Sequence, residues 1–122
     1  MPRSPSDFLF LKPDLLLILL AVDSRPRHGY AIIKEVDRRT SGSIRLQTGA
    51  LYRSLKALLA DQLIEETDTP AGEPNEDERR RYYRTTRFGA AVIEAELDRM
   101  AALVKSARAE HTRTVQKHPR LA

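Results

Sequence analysis

Hydrophobic positions fall into three patterns along the chain. From Leu15 to Val22 every residue is apolar, and Pro13 and Asp14 precede the run as a first helical turn would. A helix that is apolar all round is a buried one, which places Leu15, Leu16, Ile18, Leu19 and Leu20 at the heart of a core. The run is far shorter than the roughly 20 residues that span a bilayer. No small-residue cleavage pattern follows it, so neither a membrane helix nor a signal peptide is expected. A second helix is predicted over residues 30–39, with Ile32, Ile33 and Val36 inward and Lys34, Glu35, Asp37, Arg38 and Arg39 solvated. Ser41-Gly42-Ser43 breaks it, and Ile44-Arg45-Leu46 alternates as a short strand does.

The next stretch organises the rest. Leu51, Leu55, Leu58 and Leu59 make one apolar stripe of a helix ending near Asp61, and Ile64 continues the row beyond a turn. Thr48 stands at the expected N-cap. The opposite face and first turn carry Gln47, Thr48, Tyr52, Arg53 and Lys56, with no carboxylate among them. Such a face suits the DNA major groove, while its bland alternative is an ordinary solvated surface. Two helices joined by a short glycine-containing connection form a helix-turn-helix.

Residues 63–67 and 80–85 then read as two strands of a hairpin around a loop rich in Pro, Gly and acid. The predicted fold class is therefore mainly α with a small β-hairpin wing, a winged helix-turn-helix. Glu73, Glu76, Asp77 and Glu78 at the wing tip would repel phosphate, whereas Arg79, Arg80, Arg81 and Arg84 on the returning strand would attract it. The competing expectation is an arginine strand neutralised by its own acidic loop.

Finally, Ala90, Ile93, Leu97, Met100, Val104 and Ala107 step by 3, 4, 3, 4 and 3, a heptad seam on a helix over residues 88–113. Val92 and Leu103 widen it. The expected partner of Ile93, Leu97, Met100, Val104 and Ala107 is the same helix of a second subunit, giving a homodimer. The alternative is a helix folded back on its own core. The chain thus divides into a flexible N-terminal segment (1–12), a DNA-binding body (13–87), a dimerisation helix (88–113) and a frayed tail (114–122).

Composition narrows the chemistry. With 122 residues there is one domain's worth of chain. Cysteine is absent, which removes disulfides, thiolate metal sites and a cysteine nucleophile and suits a reducing cytoplasm. A net charge of +4 favours polyanionic partners. His28, His111 and His118 have no cysteine companions and no metal-ligand spacing, so no metal site and no cofactor are expected, and His28 reads as a helix-entry hydrogen-bonding group. No nucleophile–base arrangement, phosphate-cradling glycine loop or paired carboxylates point to an enzyme.

Three motifs carry a resemblance. His28-Gly29-Tyr30-x-Ile32-Ile33, Gly49-Ala50-Leu51-Tyr52-x-x-Leu55-x-x-Leu58 and Arg81-Tyr82-Tyr83-Arg84-x-Thr86-x-x-Gly89, in that order, resemble the PadR family of transcriptional regulators. The resemblance runs from about Leu15 into the C-terminal helix. It implies a homodimeric winged-helix repressor on a palindromic operator, paired through its C-terminal helix and released by a small-molecule effector or stress signal. Gln62 and Thr85 stand where the family usually has glycine and leucine, and the single C-terminal helix matches its shorter branch. The chain has no tryptophan, which the family's drug-stacking mode requires. On this reading Gln47 and Thr48 meet base edges, and Arg53, Lys56, Arg80, Arg81 and Arg84 meet phosphates. Tyr52 leans toward a phosphate contact, and Tyr30 and Tyr82 either donate to phosphate or pack, while Tyr83 points into the body. Partners are double-stranded DNA and a second copy of the chain, with no membrane. The alternative function is a winged-helix module whose arginine strand binds an acidic protein.

Overall fold

The computed structural model describes residues 3–72 and 81–121. Its elements run α1 (Pro13–Ser24), β1 (Arg27–His28), α2 (Gly29–Arg39), α3 (Thr48–Ala60), β2 (Ile64–Thr67), β3 (Tyr82–Thr85) and α4 (Arg87–Lys117). The strands form an antiparallel sheet in the order β1-β3-β2. Registers are His28 opposite Tyr82, Glu65 opposite Arg84 and Glu66 opposite Tyr83.

Helix α1 lies at the centre, as its unbroken apolar run predicts. Leu16, Ile18, Leu19, Ala21 and Val22 are buried, while Leu15 and Leu20 pack from its margin. Ile32 and Val36 of α2, Leu51, Leu55 and Leu58 of α3, and Val92 and Ile93 of α4 close on it. Helix α2 starts at Gly29, capped by His28, whose Nδ1 accepts the Ala31 N–H at 3.2 Å. The expected helix-entry role of His28 is therefore present. Glu35, expected in solvent, is buried instead. Arg38 donates to it from Nε at 3.0 Å, and Arg27 and Arg39 approach to 3.6 and 3.7 Å. Chiefly through the Arg38 hydrogen bond, these arginines hold its carboxyl below the usual range.

The short strand expected at Ile44-Arg45-Leu46 does not form. The Ile44 N–H is taken by the Thr40 hydroxyl at 3.1 Å, and that hydroxyl also bonds the Val36 carbonyl at 2.8 Å. The sheet edge it would have joined is occupied by Arg27–His28, a pair too short to show periodicity. After α3 the chain turns through Gln62, whose φ of 60° is left-handed, a conformation that suits the glycine the resemblance implies at this position.

Helix α4 is longer than expected and extends through Lys117, with a 3-10 turn Pro119–Leu121 where fraying was anticipated. Its first turns are locked to the body. Thr86 caps the helix by accepting the Gly89 N–H at 2.9 Å, and a Cβ on Gly89 would meet the Leu63 carbonyl oxygen at 1.9 Å. The N-terminal segment, expected to be loose, is a strap over this junction. Arg3 donates to the Asp61 carbonyl at 2.6 Å and lies over the rings of Phe8 and Phe88 at 5.4 and 4.9 Å. Leu11 N–H donates to the buried Glu96 carboxylate, which Arg99 also holds. Among the described residues no buried side-chain polar atom lacks a partner.

Candidate nucleic-acid interface

Burying Leu51, Leu55 and Leu58 turns the other side of α3 outward. Gln47, Thr48, Tyr52, Arg53 and Lys56 are all exposed there. Helix phase puts Thr48, Tyr52 and Lys56 on one line, each four residues from the last, with Arg53 beside it. The cap position is Gln47, one residue before the expected Thr48, and its side chain makes no capping bond. Its amide is therefore not committed to the helix start, and Thr48 occupies the first helical turn. The Arg53 guanidinium lies back along the helix, 3.4 Å from where a Gly49 Cβ would stand. Among the described residues no carboxylate pairs with Arg53 or Lys56.

The start of α2 adjoins this face. The Tyr52 hydroxyl sits 2.7 Å from a Cβ built on Gly29, so glycine is what lets the phenol lie across the helix entry. Tyr30 and Tyr52 are 59% and 51% exposed, which decides against core packing for both. Lys34, expected only as a solvated residue, holds its ammonium 4.8 Å from the centre of the Tyr30 ring. Its position one turn after Tyr30 was the available signal. Tyr52 of α3 thus reaches the start of α2, the turn that also carries the exposed Tyr30–Lys34 pair.

The wing departs from expectation. Arg84 donates from Nε to Glu65 at 2.9 Å, directly across the ladder, and Arg81 donates to Glu66 at 3.2 Å. Strand alternation puts the two pairs on opposite faces. The Arg81–Glu66 pair lies with Tyr83 on the face toward the core and α3. Burial, reinforced by Glu66 and Tyr52 and opposed by Arg81, raises the Tyr83 phenol above its ordinary value. Tyr83 belongs to the core as expected. Tyr82 is buried edge-on against His28 with ring centres 5.3 Å apart, so it packs and does not reach outward. Arg79, Arg80 and the acidic wing tip lie outside the described residues.

Of the α4 seam, Ile93 is consumed by the subunit's own core. Leu97, Met100, Val104 and Ala107 remain exposed, and Leu103 joins them. The helix measures about 46 Å at 1.5 Å per residue, so most of it stands clear of the body.

The family model described as "Transcriptional regulator PadR-like family" matches residues 17–95. The chain belongs to this family. An uncharacterised protein of Lysinibacillus sphaericus is 32% identical over 77 residues, 63% of this chain and 68% of its own. In the hsRosR-S4 complex, RosR shares the fold with a TM-score of 0.67 at 20% identity, over 98% of this chain and all of its own. A PadR family regulator from Clostridium difficile R20291 superposes with a TM-score of 0.65 at 23% identity, over 80% of this chain and 96% of that one. A PadR-like regulator from Bacillus cereus gives 0.62 at 19%, over 77% and 86%. PadR-like regulators are non-enzymatic proteins that bind DNA to regulate transcription, and this chain is one of them. Among the described residues no helix is long and apolar enough to cross a membrane, and no three or more potential metal ligands gather.

Proposed function

We propose that the protein is a cytoplasmic repressor that binds a palindromic operator as a homodimer. The observation that carries this reading is the acid-free outer face of α3, whose Tyr52 reaches the start of α2 beside the exposed Tyr30 and Lys34. Gln47 and Thr48 read base edges from the helix start, and Arg53, Lys56, Tyr52 and Tyr30 anchor the backbone. On the wing Arg81 shares the side of α3, whereas Arg84 sits on the opposite face and is not assigned a phosphate. The dimer forms along α4 from Leu97 outward through Met100, Leu103, Val104 and Ala107, because an apolar row of that length in water favours a matching row. Two-fold pairing sets the recognition helices about 34 Å apart, one turn of duplex. An effector would be sought in the open groove of about 530 Å³ bordered by Arg3, Leu59, Gln62 and Phe88. The protein-binding alternative gains no observation of its own, since Arg81 and Arg84 already hold glutamates.

Selection of bound duplexes from a random pool tests the reading directly. The expected result is a two-fold symmetric site bound by two subunits, which silences a promoter that carries it. Recovery of an asymmetric half-site bound by a monomer would overturn it.

A further inference from the structure

The wing holds a feature that DNA binding alone does not require. Arg81 and Glu66 form an ion pair at 3.2 Å with side chains 68% and 46% exposed, so the pair lies in water and is cheap to open. It stands on the Tyr83 face of the sheet, the face adjoining Tyr52 of α3, and therefore on the side where the recognition surface lies. A guanidinium already neutralised by a carboxylate releases few counterions when a phosphate arrives, and the two anions on it repel each other. Glu65 and Arg84 form the same chemistry at 2.9 Å on the other face of the ladder.

We propose that Glu66 is an internal stand-in for phosphate. It occupies Arg81 in the free protein, must be displaced or tolerated when DNA docks, and so restrains the wing's contribution to affinity. Because the restraint acts on a phosphate contact, it applies to every sequence alike, leaving recognition to α3. This inference rests on the DNA-binding reading above.

The test uses the full-length protein, the selected operator duplex and an unrelated duplex, with dissociation constants measured across a salt series. Glu66→Gln keeps the size of the side chain and removes its charge. It should tighten binding to both duplexes about fivefold, the factor equivalent to the upper end of a surface ion pair, and steepen the salt slope by about one. Glu65→Gln removes the same net charge on the opposite face and should change affinity less than about twofold. In an Arg81→Ala background, Glu66→Gln should give no gain. Thermal unfolding checks that each variant is folded; both glutamates are half-exposed. No gain from Glu66→Gln overturns the proposal while leaving DNA binding intact. An equal gain from Glu65→Gln, or a gain that survives loss of Arg81, overturns it too, since the effect would then be one of net charge. A wild-type protein that binds no duplex at low salt overturns the DNA reading and this inference together.

Discussion

Helix α3 and the wing strand both carry basic side chains, but they differ in what stands beside them. Arg53 and Lys56 have no carboxylate partner among the described residues, whereas Arg81 and Arg84 each face a glutamate on the neighbouring strand. A helix separates its faces by 100° per residue, so burial of one stripe sorts charges cleanly outward. A two-stranded ladder instead forces residues opposite each other into contact, and the register places Glu65 against Arg84. Counting arginines therefore overstates what the wing offers a phosphate and understates what α3 offers.

That contrast can be broken by mutation, starting with the largest expected effect. Replacing Arg53 and Lys56 together by Ala should weaken binding to any duplex by roughly 100-fold at moderate salt and lower the salt slope by about two. Fluorescence anisotropy over a salt series reads both quantities, and a preserved slope would remove α3 from the backbone contacts. Gln47→Ala and Thr48→Ala should cost about 1–3 kcal/mol on the operator alone. Their binding to unrelated duplexes should not change, and competition between the two duplexes measures this. Arg81→Ala should cost less than about threefold, since the arginine must give up Glu66 before it serves DNA. A tenfold loss would mean that the wing is not restrained. Gly29→Ala is subtler. The added methyl pushes the Tyr52 hydroxyl aside, and Ala is the better helix former, so stability should stay within about 1 kcal/mol while affinity drops a few-fold.

Why was one region legible in the sequence and the other not? The buried run of α1, the stripe of α3 and the cap at His28 are local patterns, and each survives in the structure. The wing's two strands were also visible, but their pairing depends on the loop between them, and strand pattern alone does not set register. The loop tip therefore stands out in the sequence as the source of acid for the arginines, while nothing local marks Glu65 and Glu66 as their partners. The strap failed to show for a related reason. Arg3 meets Asp61 and Phe88, contacts far off in the chain, and a proline-bearing polar segment carries no periodicity to announce them. The seam of α4 was legible as a pattern yet misassigned at Ile93, because a heptad row does not say where a helix leaves its own body. Glu35 looked solvated by helix phase beside charged neighbours. Arg27, reaching in from β1, joins Arg38 and Arg39 around it, a contact that helix phase does not announce.

Glu35 offers the smallest and sharpest test of the contrast, because it is the same arginine–glutamate chemistry placed out of water. If exposure of the carboxylate is what makes the Glu66 pair exchangeable, then Glu35, whose carboxylate is buried, should behave as fixed structure. Arg38, Arg27 and Arg39 keep the Glu35 carboxyl ionised in the folded protein to a lower pH than in the unfolded chain. A depressed carboxyl contributes stability that is present above its unfolded value and lost as pH falls through its folded value. Glu35→Gln should therefore cost about 1 kcal/mol at neutral pH, the scale of an ordinary net hydrogen bond, because the Arg38 side chain that donates it is largely exposed. The gap to wild type should close as pH drops through and below the ordinary carboxylate range. Urea unfolding at a series of pH values measures it. A gap that persists unchanged in acid would show that Glu35 acts through packing and not through its charge. DNA affinity at neutral pH should be the same for both proteins, the reverse of what Glu66→Gln should do.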